Sequence, residues 1–385
     1  MASSAETLAR LVAFPTVSDR PVLELAAYLA TRAEDAGMRV ARFETSPGKV
    51  NVVATAGPEG TDGLVLSGHM DVVPTEGQDW SSDPFRLTER DGRLYGRGAC
   101  DMKGFLAAVT EALPRVDLRH LQRELVLIWT HDEEVGCKGS AALAERLGDR
   151  PWPSLCWIGE PTSFQICRMH PGHLTLEVEV TGRAAHSSRP DLGVNAIRAA
   201  RRVIGALEAL EDALRAETAF EDELEAPYPV VNLGRIQGGT AVNIVPDRVV
   251  LQLGVRPLPG QDVPALIGRF ADAVAEVDRD LRQTGARATL RPLHLAPALL
   301  TERDTPLERL LLPHACGARA VPFATDGGNL ARLGMRSLIF GPGSIDVAHR
   351  PDEYIEGVDL DRCTDMVTDL IARRCGDETG APELR

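Results

Sequence analysis

Two kinds of strand pattern occur in this chain, and they imply two different sheets. NVVATA (51–56), GLVLSG (63–68), ELVLIWT (124–130) and SLCWIG (154–159) are short apolar runs. Runs of this kind are buried on both faces, as in a parallel sheet covered by helices. KGFLAAVTEAL (103–113), closed by Pro114, and PVLELAAYLATRAEDAG (21–37) read as such helices. From residue 173 the style changes. HLTLEVEVTG alternates strictly, with Leu174, Leu176, Val178 and Val180 on one face, which describes a half-exposed strand. A helix over 193–216, strands at 230–239 and 247–257, a helix over 263–284 and a strand at 286–292 follow. This β-α-β-β-α-β order is that of a ferredoxin-like unit. SLIFGPGS (337–344) returns to the buried style, and a helix over 359–374 closes the core. The expected fold is therefore α/β. A mixed, mostly parallel sheet sandwiched by helices is formed by residues 1–172 and 294–385. An inserted α+β unit spans 173–293. The tail DETGAPELR is expected to fray.

In an open parallel sheet, ligands bind beyond the carboxyl ends of the strands. Four polar clusters follow apolar runs: GHMD (68–71), THDEEVG (130–136), GEPT (159–162) and VAHRPDE (347–353). Each alone has a plain reading, as a surface His, a solvated helix start or a turn. Their recurrence at one rim gathers carboxylates and imidazoles, which need a counter-charge and suit Zn²⁺ or a similar divalent ion. A fifth segment, GRLYGRGACDMKGFLAA (92–108), lacks the preceding buried strand and the third Gly of a dinucleotide loop. Its Asp101 is most simply a helix N-cap; the functional alternative is a carboxylate aimed into the rim.

Charge and composition narrow the classes. The net charge is −14, from 42 basic and 56 acidic residues. Such a surface repels phosphate and anionic lipid, so neither nucleic acid nor membrane is an expected partner. No apolar run reaches the roughly 20 residues of a membrane helix, and residues 1–20 carry no signal-like pattern. The seven Cys are odd in number and scattered, which points away from a disulfide framework and towards a reducing cytoplasm. A G-x-S-x-G elbow, a P-loop and a local catalytic Cys signature are all missing.

SGHMDVVP, GRGACDMKG, THDEEVGCKGS, IGEPTS, AHSSRPDLGVNAI, GGTAVNIVPD and GPGSIDVAHRPDEYI occur in the order seen in the M20 metallopeptidase and aminoacylase family. The chain resembles that family from about residue 6 to 375. ATDGGN (324–329) and GPGSIDVAHRPDEY make it look most like the acetylornithine deacetylase branch. The resemblance implies a metal-dependent exopeptidase-like catalytic unit with a lid that mediates a homodimer. It implies two divalent ions per subunit, Zn²⁺ or alternatively Co²⁺, held by His69, Asp101, Glu134, Glu160 and His349. Asp101 would bridge the ions and be followed by a cis peptide.

The resemblance further implies that Glu133 is the general base, taking a proton from the attacking water and passing it to the leaving amine. Asp71 would be the carboxylate that orients the imidazole of His69. If the Glu133–Glu134 segment is extended, its two side chains point opposite ways, separating base from ligand. His186 is implied to reach the partner subunit's site and stabilise the oxyanion. Asn243 and Arg256 are implied substrate contacts, an Arg fork being suited to a carboxylate. The implied reaction releases ornithine and acetate from N-acetyl-L-ornithine, a step of arginine biosynthesis. N-succinyl-diaminopimelate, acetylcitrulline or a dipeptide are alternative substrates. The non-enzymatic alternative is a degenerate metal- or amino-acid-binding module, against which the filled position 133 speaks.

Overall fold

The structure is a computed structural model that describes residues 3–376 except 19, 149 and 219–223. The tail at 377–385 lies outside the described residues. The chain divides into two compact units. One comprises residues 1–169, 301–320 and 325–385; the other comprises 170–300 and 321–324.

The first unit is built on a six-stranded sheet. Its order is Arg39–Ser46, Lys49–Ala56, Leu125–Thr130, Leu64–His69, Leu155–Ile158 and Arg336–Ile339. The last four run parallel; Lys49–Ala56 pairs antiparallel with Leu125–Thr130, and Arg39–Ser46 pairs antiparallel with Lys49–Ala56. The apolar runs fill the interior of this sheet: every residue of Leu64–His69, Leu125–Thr130 and Leu155–Ile158 is buried. The helix Lys103–Ala112 is buried all round, and it packs on Ser4–Val12 and Gly357–Cys375. A helix with no solvent-exposed face belongs inside a layered core. Its Phe105 ring lies 5.3 Å from Trp157, whose ring is 5.9 Å from Phe340. This close approach requires Gly159, where an added Cβ would lie 1.9 Å from Cγ of Phe105.

The strand Arg39–Ser46 departs from the sequence reading. Its residues, RVARFETS, are exposed or half-buried throughout, so an edge strand is present where no apolar pattern marks one. A small sheet of Thr88–Arg90, Arg93–Tyr95 and Tyr354–Glu356 is likewise unmarked by any apolar run.

The second unit has four strands in the order Val230–Gly238, Arg248–Arg256, His173–Thr181 and Arg287–Ala296, all antiparallel. With the helices Ala196–Glu217 and Val263–Gln283 this is the ferredoxin-like order. Leu174, Leu176, Val178 and Val180 lie in one core with Val203 and Leu207 of the first helix and Phe270 and Val274 of the second. The strand Arg287–Ala296 continues past residue 293, because Leu295 and Ala296 pair with Leu174 and His173. In the first unit the chain departs and returns side by side: the Thr301 amide donates to the Arg168 carbonyl at 2.8 Å. Among the described residues no helix is long and apolar enough to cross a membrane.

Candidate metal centre

The parallel strands deliver their ends to one rim of the first unit. His69 closes the strand Leu64–His69, Glu133 and Glu134 follow Leu125–Thr130, and Glu160 follows Leu155–Ile158. Asp101 precedes the helix Lys103–Ala112, and its side chain makes no cap hydrogen bond; the Asp101–Met102 peptide is cis. The N-cap alternative for Asp101 therefore fails, because its carboxylate turns to two imidazoles.

Those contacts define two clusters. His69 Nε2 lies 3.0 Å from Asp101 Oδ1 and 3.8 Å from Glu160 Oε1. His349 Nε2 lies 3.2 Å from Asp101 Oδ2 and 3.0 Å from Glu134 Oε2. Within each group, His69–Asp101–Glu160 and Asp101–Glu134–His349, the donor atoms lie within 4.8 Å of one another. Asp101 belongs to both and offers one oxygen to each. The first group is buried, whereas His349 leaves 48% of its side chain exposed.

The electrostatics show what the site lacks. Burial and the neighbouring Asp101 push Glu134 up to about 7. Burial and Asp101 also drive Glu160 well above the usual carboxyl range. Burial drives Glu133 up as well, reinforced by Glu160, Asp326 and Glu134. Asp101 goes the other way. Burial opposes its ionisation, but hydrogen bonds from His349 and His69 outweigh that and hold it below the ordinary value. Asp101 thus differs from the other carboxyls of the rim because two imidazoles flank it. His349 in turn is lifted to about 10 by Asp101 and Glu134. Crowded buried carboxyls of raised proton affinity call for a counter-charge, and a shared carboxylate with nitrogen and oxygen donors on both sides fits a pair of divalent ions.

Two local readings are corrected. The Glu133–Glu134 segment is a turn, not an extended strand. Asp132 has φ 53°, and the Gly136 and Cys137 amides donate to the Glu133 carbonyl. The Asp71 carboxylate holds this turn: Oδ1 accepts from the Glu133 amide at 3.0 Å and Oδ2 from the Glu134 amide at 3.3 Å. Ser18 Oγ also donates to Oδ2, at 2.8 Å. The imidazole of His69 is oriented instead by the Asp71 carbonyl, 2.8 Å from Nδ1, while the nearer carboxylate oxygen is 3.7 Å away.

His186, Asn243 and Arg256 lie in the second unit. His186 is exposed, with Nδ1 2.7 Å from Ser188 Oγ. It is joined to the Asn243 loop, because His186 bridges to Ile244 and the Ser187 amide donates to the Asn243 carbonyl. Arg256 is half-buried at the end of Arg248–Arg256, and its charge adds to burial in lowering His170 and His173, each to about 4. Missed by sequence reasoning were Asp326, a buried carboxylate receiving Thr130 Oγ1 at 2.5 Å, and the fully buried Glu353. Glu353 lay in view within VAHRPDE, but nothing local marks a charged residue for burial.

A family model described as peptidase family M20/M25/M40 matches residues 65–373. The fold is similar to that of an M20 family metallo-carboxypeptidase from Sulfolobus solfataricus (TM-score 0.77, 20% identity, covering 96% of this chain and 99% of that one). It is similar to aminopeptidase PepT from Bacillus cereus (TM-score 0.71, 21% identity, 95% and 98%). A third similar structure is a dinuclear metal-binding M20 peptidase from Bacillus subtilis (TM-score 0.68, 15% identity, 96% and 96%).

Proposed function

The chain belongs to peptidase family M20/M25/M40, and from that premise we propose that it hydrolyses the amide bond of an N-acyl amino acid at a centre of two divalent ions. N-acetyl-L-ornithine is the substrate we propose, and ornithine and acetate the products. The observation that carries the reading is the pair of donor groups sharing Asp101, with Glu133 beside them. The choice of substrate is supported by the resemblance of ATDGGN and GPGSIDVAHRPDEY to the acetylornithine deacetylase branch.

In this reading His69, Asp101 and Glu160 hold one ion, and Asp101, Glu134 and His349 the other. Zn²⁺ suits the donor set, with Co²⁺ as a workable substitute. Bound there, the cations supply Lewis acidity and offset the carboxylate charge. Glu133 is the base. Burial and neighbouring carboxylates raise its proton affinity, as accepting a proton from water near neutral pH requires. It then returns that proton to the departing amine. The Asp71 carboxylate keeps Glu133 and Glu134 in their turn. His186 is proposed to donate to the oxyanion from the partner subunit, and Asn243 and Arg256 to bind the substrate's polar ends.

A homodimer through the second unit is supported by its sheet edge. Val230–Gly238 ends the sheet order and exposes Leu233 and Ile236, the latter at 60%. Pairing across a two-fold axis would cover both copies. A reducing, cytoplasmic compartment suits the seven free thiols.

The test compares rates of the Zn²⁺- or Co²⁺-loaded protein on N-acetyl-ornithine, N-acetyl-citrulline, N-succinyl-diaminopimelate and a dipeptide. A preference for any of the last three replaces the proposed substrate, and no turnover on any removes the hydrolase reading. The trans role of His186 is tested by mixing inactive His186→Ala and Glu133→Gln subunits. Activity should return in the mixed dimer, and a mixed dimer without activity removes that role.

A further inference from the structure

We infer that the buried Arg97–Glu353 pair, together with Gln78, is a positioning clasp that holds Asp101 and His349 in register and sets the strength of the more open cation position. The inference rests on the two-ion reading above.

Glu353 is fully buried and Arg97 is 1% exposed. Glu353 Oε1 accepts the amides of Cys100 at 2.9 Å and Asp101 at 3.0 Å, while Oε2 pairs with Arg97 Nη1 at 2.6 Å. Arg97 Nη1 also donates to the Arg350 carbonyl at 3.4 Å. Arg97 Nη2 donates to Gln78 Oε1 at 2.6 Å and to the Pro74 carbonyl at 3.4 Å. Gln78 Nε2 completes the circuit by donating to the His349 carbonyl at 2.9 Å. Trp80 steadies it, donating from Nε1 to Gln78 Oε1 at 3.1 Å and placing its ring under the guanidinium at 5.0 Å.

Stability alone does not call for such a pair. Taking two charges out of water is costly, and well-packed apolar residues commonly serve as well or better. What distinguishes this pair is where its remaining hydrogen bonds go. One end grips the backbone of Asp101, and the other grips the carbonyls at and after His349. His349 needs that grip. Its φ is 62°, a left-handed conformation uncommon for a residue with a side chain, and its exposed ring has little packing to hold it.

The other position depends less on the clasp. His69 ends a buried sheet strand and is fixed by the Asp71 carbonyl. Glu160 directly follows the strand Leu155–Ile158. Loosening the Gln78 end of the clasp should therefore weaken the Asp101–Glu134–His349 position and largely spare His69–Asp101–Glu160.

The test is calorimetric titration of the full-length, metal-free protein with Co²⁺, followed in parallel by its visible absorption. The wild-type protein should take up two ions. Gln78→Ala removes the tether to His349 and leaves the buried ion pair in place. It should weaken one binding step about 10-fold and leave the other unchanged, within the 10- to 100-fold range for groups that orient metal ligands. The double variant Arg97→Met/Glu353→Gln, which leaves no unpaired buried charge, should weaken the same step about 100-fold and the other step to a smaller degree, because Glu353 also holds the Asp101 that both positions share. Equal weakening of both steps, or none, in Gln78→Ala protein that melts like wild type overturns the clasp. Uptake of a single ion by the wild-type protein overturns the two-ion reading, and the clasp with it.

Discussion

Asp71→Asn separates two ways in which this carboxylate could serve the centre. Asp71 is fully buried, and its two oxygens receive the Glu133 amide, the Glu134 amide and Ser18 Oγ. Asparagine has the same shape but a single acceptor oxygen. If that oxygen keeps the Glu133 amide, the new NH₂ faces Ser18 and the Glu134 N–H. The Ser18 hydroxyl can turn to accept, but the amide cannot. The loss is then one hydrogen bond to a charged group plus an unsatisfied buried donor, about 2 kcal/mol at the base of the Glu133–Glu134 turn. Expressed wholly in the transition state, that is about 30-fold in kcat. The imidazole of His69 should barely notice, because the Asp71 carbonyl that holds it survives the substitution. The assay is kcat against pH at saturating Zn²⁺ on the preferred N-acyl amino acid, with bound metal measured on the same samples. The expected result is a lower rate, a displaced acidic limb and unchanged metal content. A reduced bound-metal content would show that the carboxylate acts through His69, and a wild-type rate at full metal content would show that the turn needs no such anchor.

Three further outcomes follow from the same geometry. Glu133→Gln should retain metal and lose at least about 100-fold in kcat, whereas Glu134→Gln should lose metal; equal metal content in the two variants would contradict this division. In the metal-free protein the contributions of Glu134 and His349 to stability should each fall as pH rises, against the opposite contributions of the depressed His170, His173 and Lys103. The folded form keeps the Glu134 proton up to about pH 7, while the unfolded chain releases it near 4.5, a destabilisation of about 3 kcal/mol across that window. His349 adds stability that is complete below about 6.5 and lost as pH climbs through 10; chelator-treated Glu134→Gln and His349→Gln proteins should each lose the corresponding pH dependence, and melting profiles from about pH 5 to 9 that match wild type in slope would contradict both. Gly159→Ala drives a methyl to 1.9 Å from the Phe105 ring and should cost about 3 kcal/mol or more, so a variant melting within a few degrees of wild type would refute that packing.

The sheet and much of the rim were legible because they are written locally. A buried parallel strand is an apolar run, and the polar residue at its end faces the crevice, which exposes His69 and Glu160 to inspection. Asp101 follows no strand and looks like a helix cap; only the resemblance marked it. The turn at 131–137 was illegible for a different reason. Asp132 at φ 53° is held by Lys49, 2.6 Å away and from a distant strand, so the local sequence carries no trace of the constraint. Arg97 and Glu353 were missed on the same ground, since each looks like a surface charge until the other arrives from the far end of the chain. The edge strand Arg39–Ser46 is the converse case: it half-buries only Val40, Phe43 and Thr45, too few to announce a strand.

The side-by-side departure and return at Arg168 and Thr301 bears on how fast such a centre can assemble. His349 must find partners contributed by residues 69–160, and an unstructured loop over residues 169–300 would make that encounter entropically expensive. The intervening stretch, however, has a hydrophobic core of its own. Once folded, it behaves as a short link rather than a long loop, because its two connections run side by side at Arg168 and Thr301. For chain entropy, the effective separation between Glu160 and His349 shrinks to little more than the residues outside the insert. The effective contact order of the first unit falls accordingly, which favours faster folding.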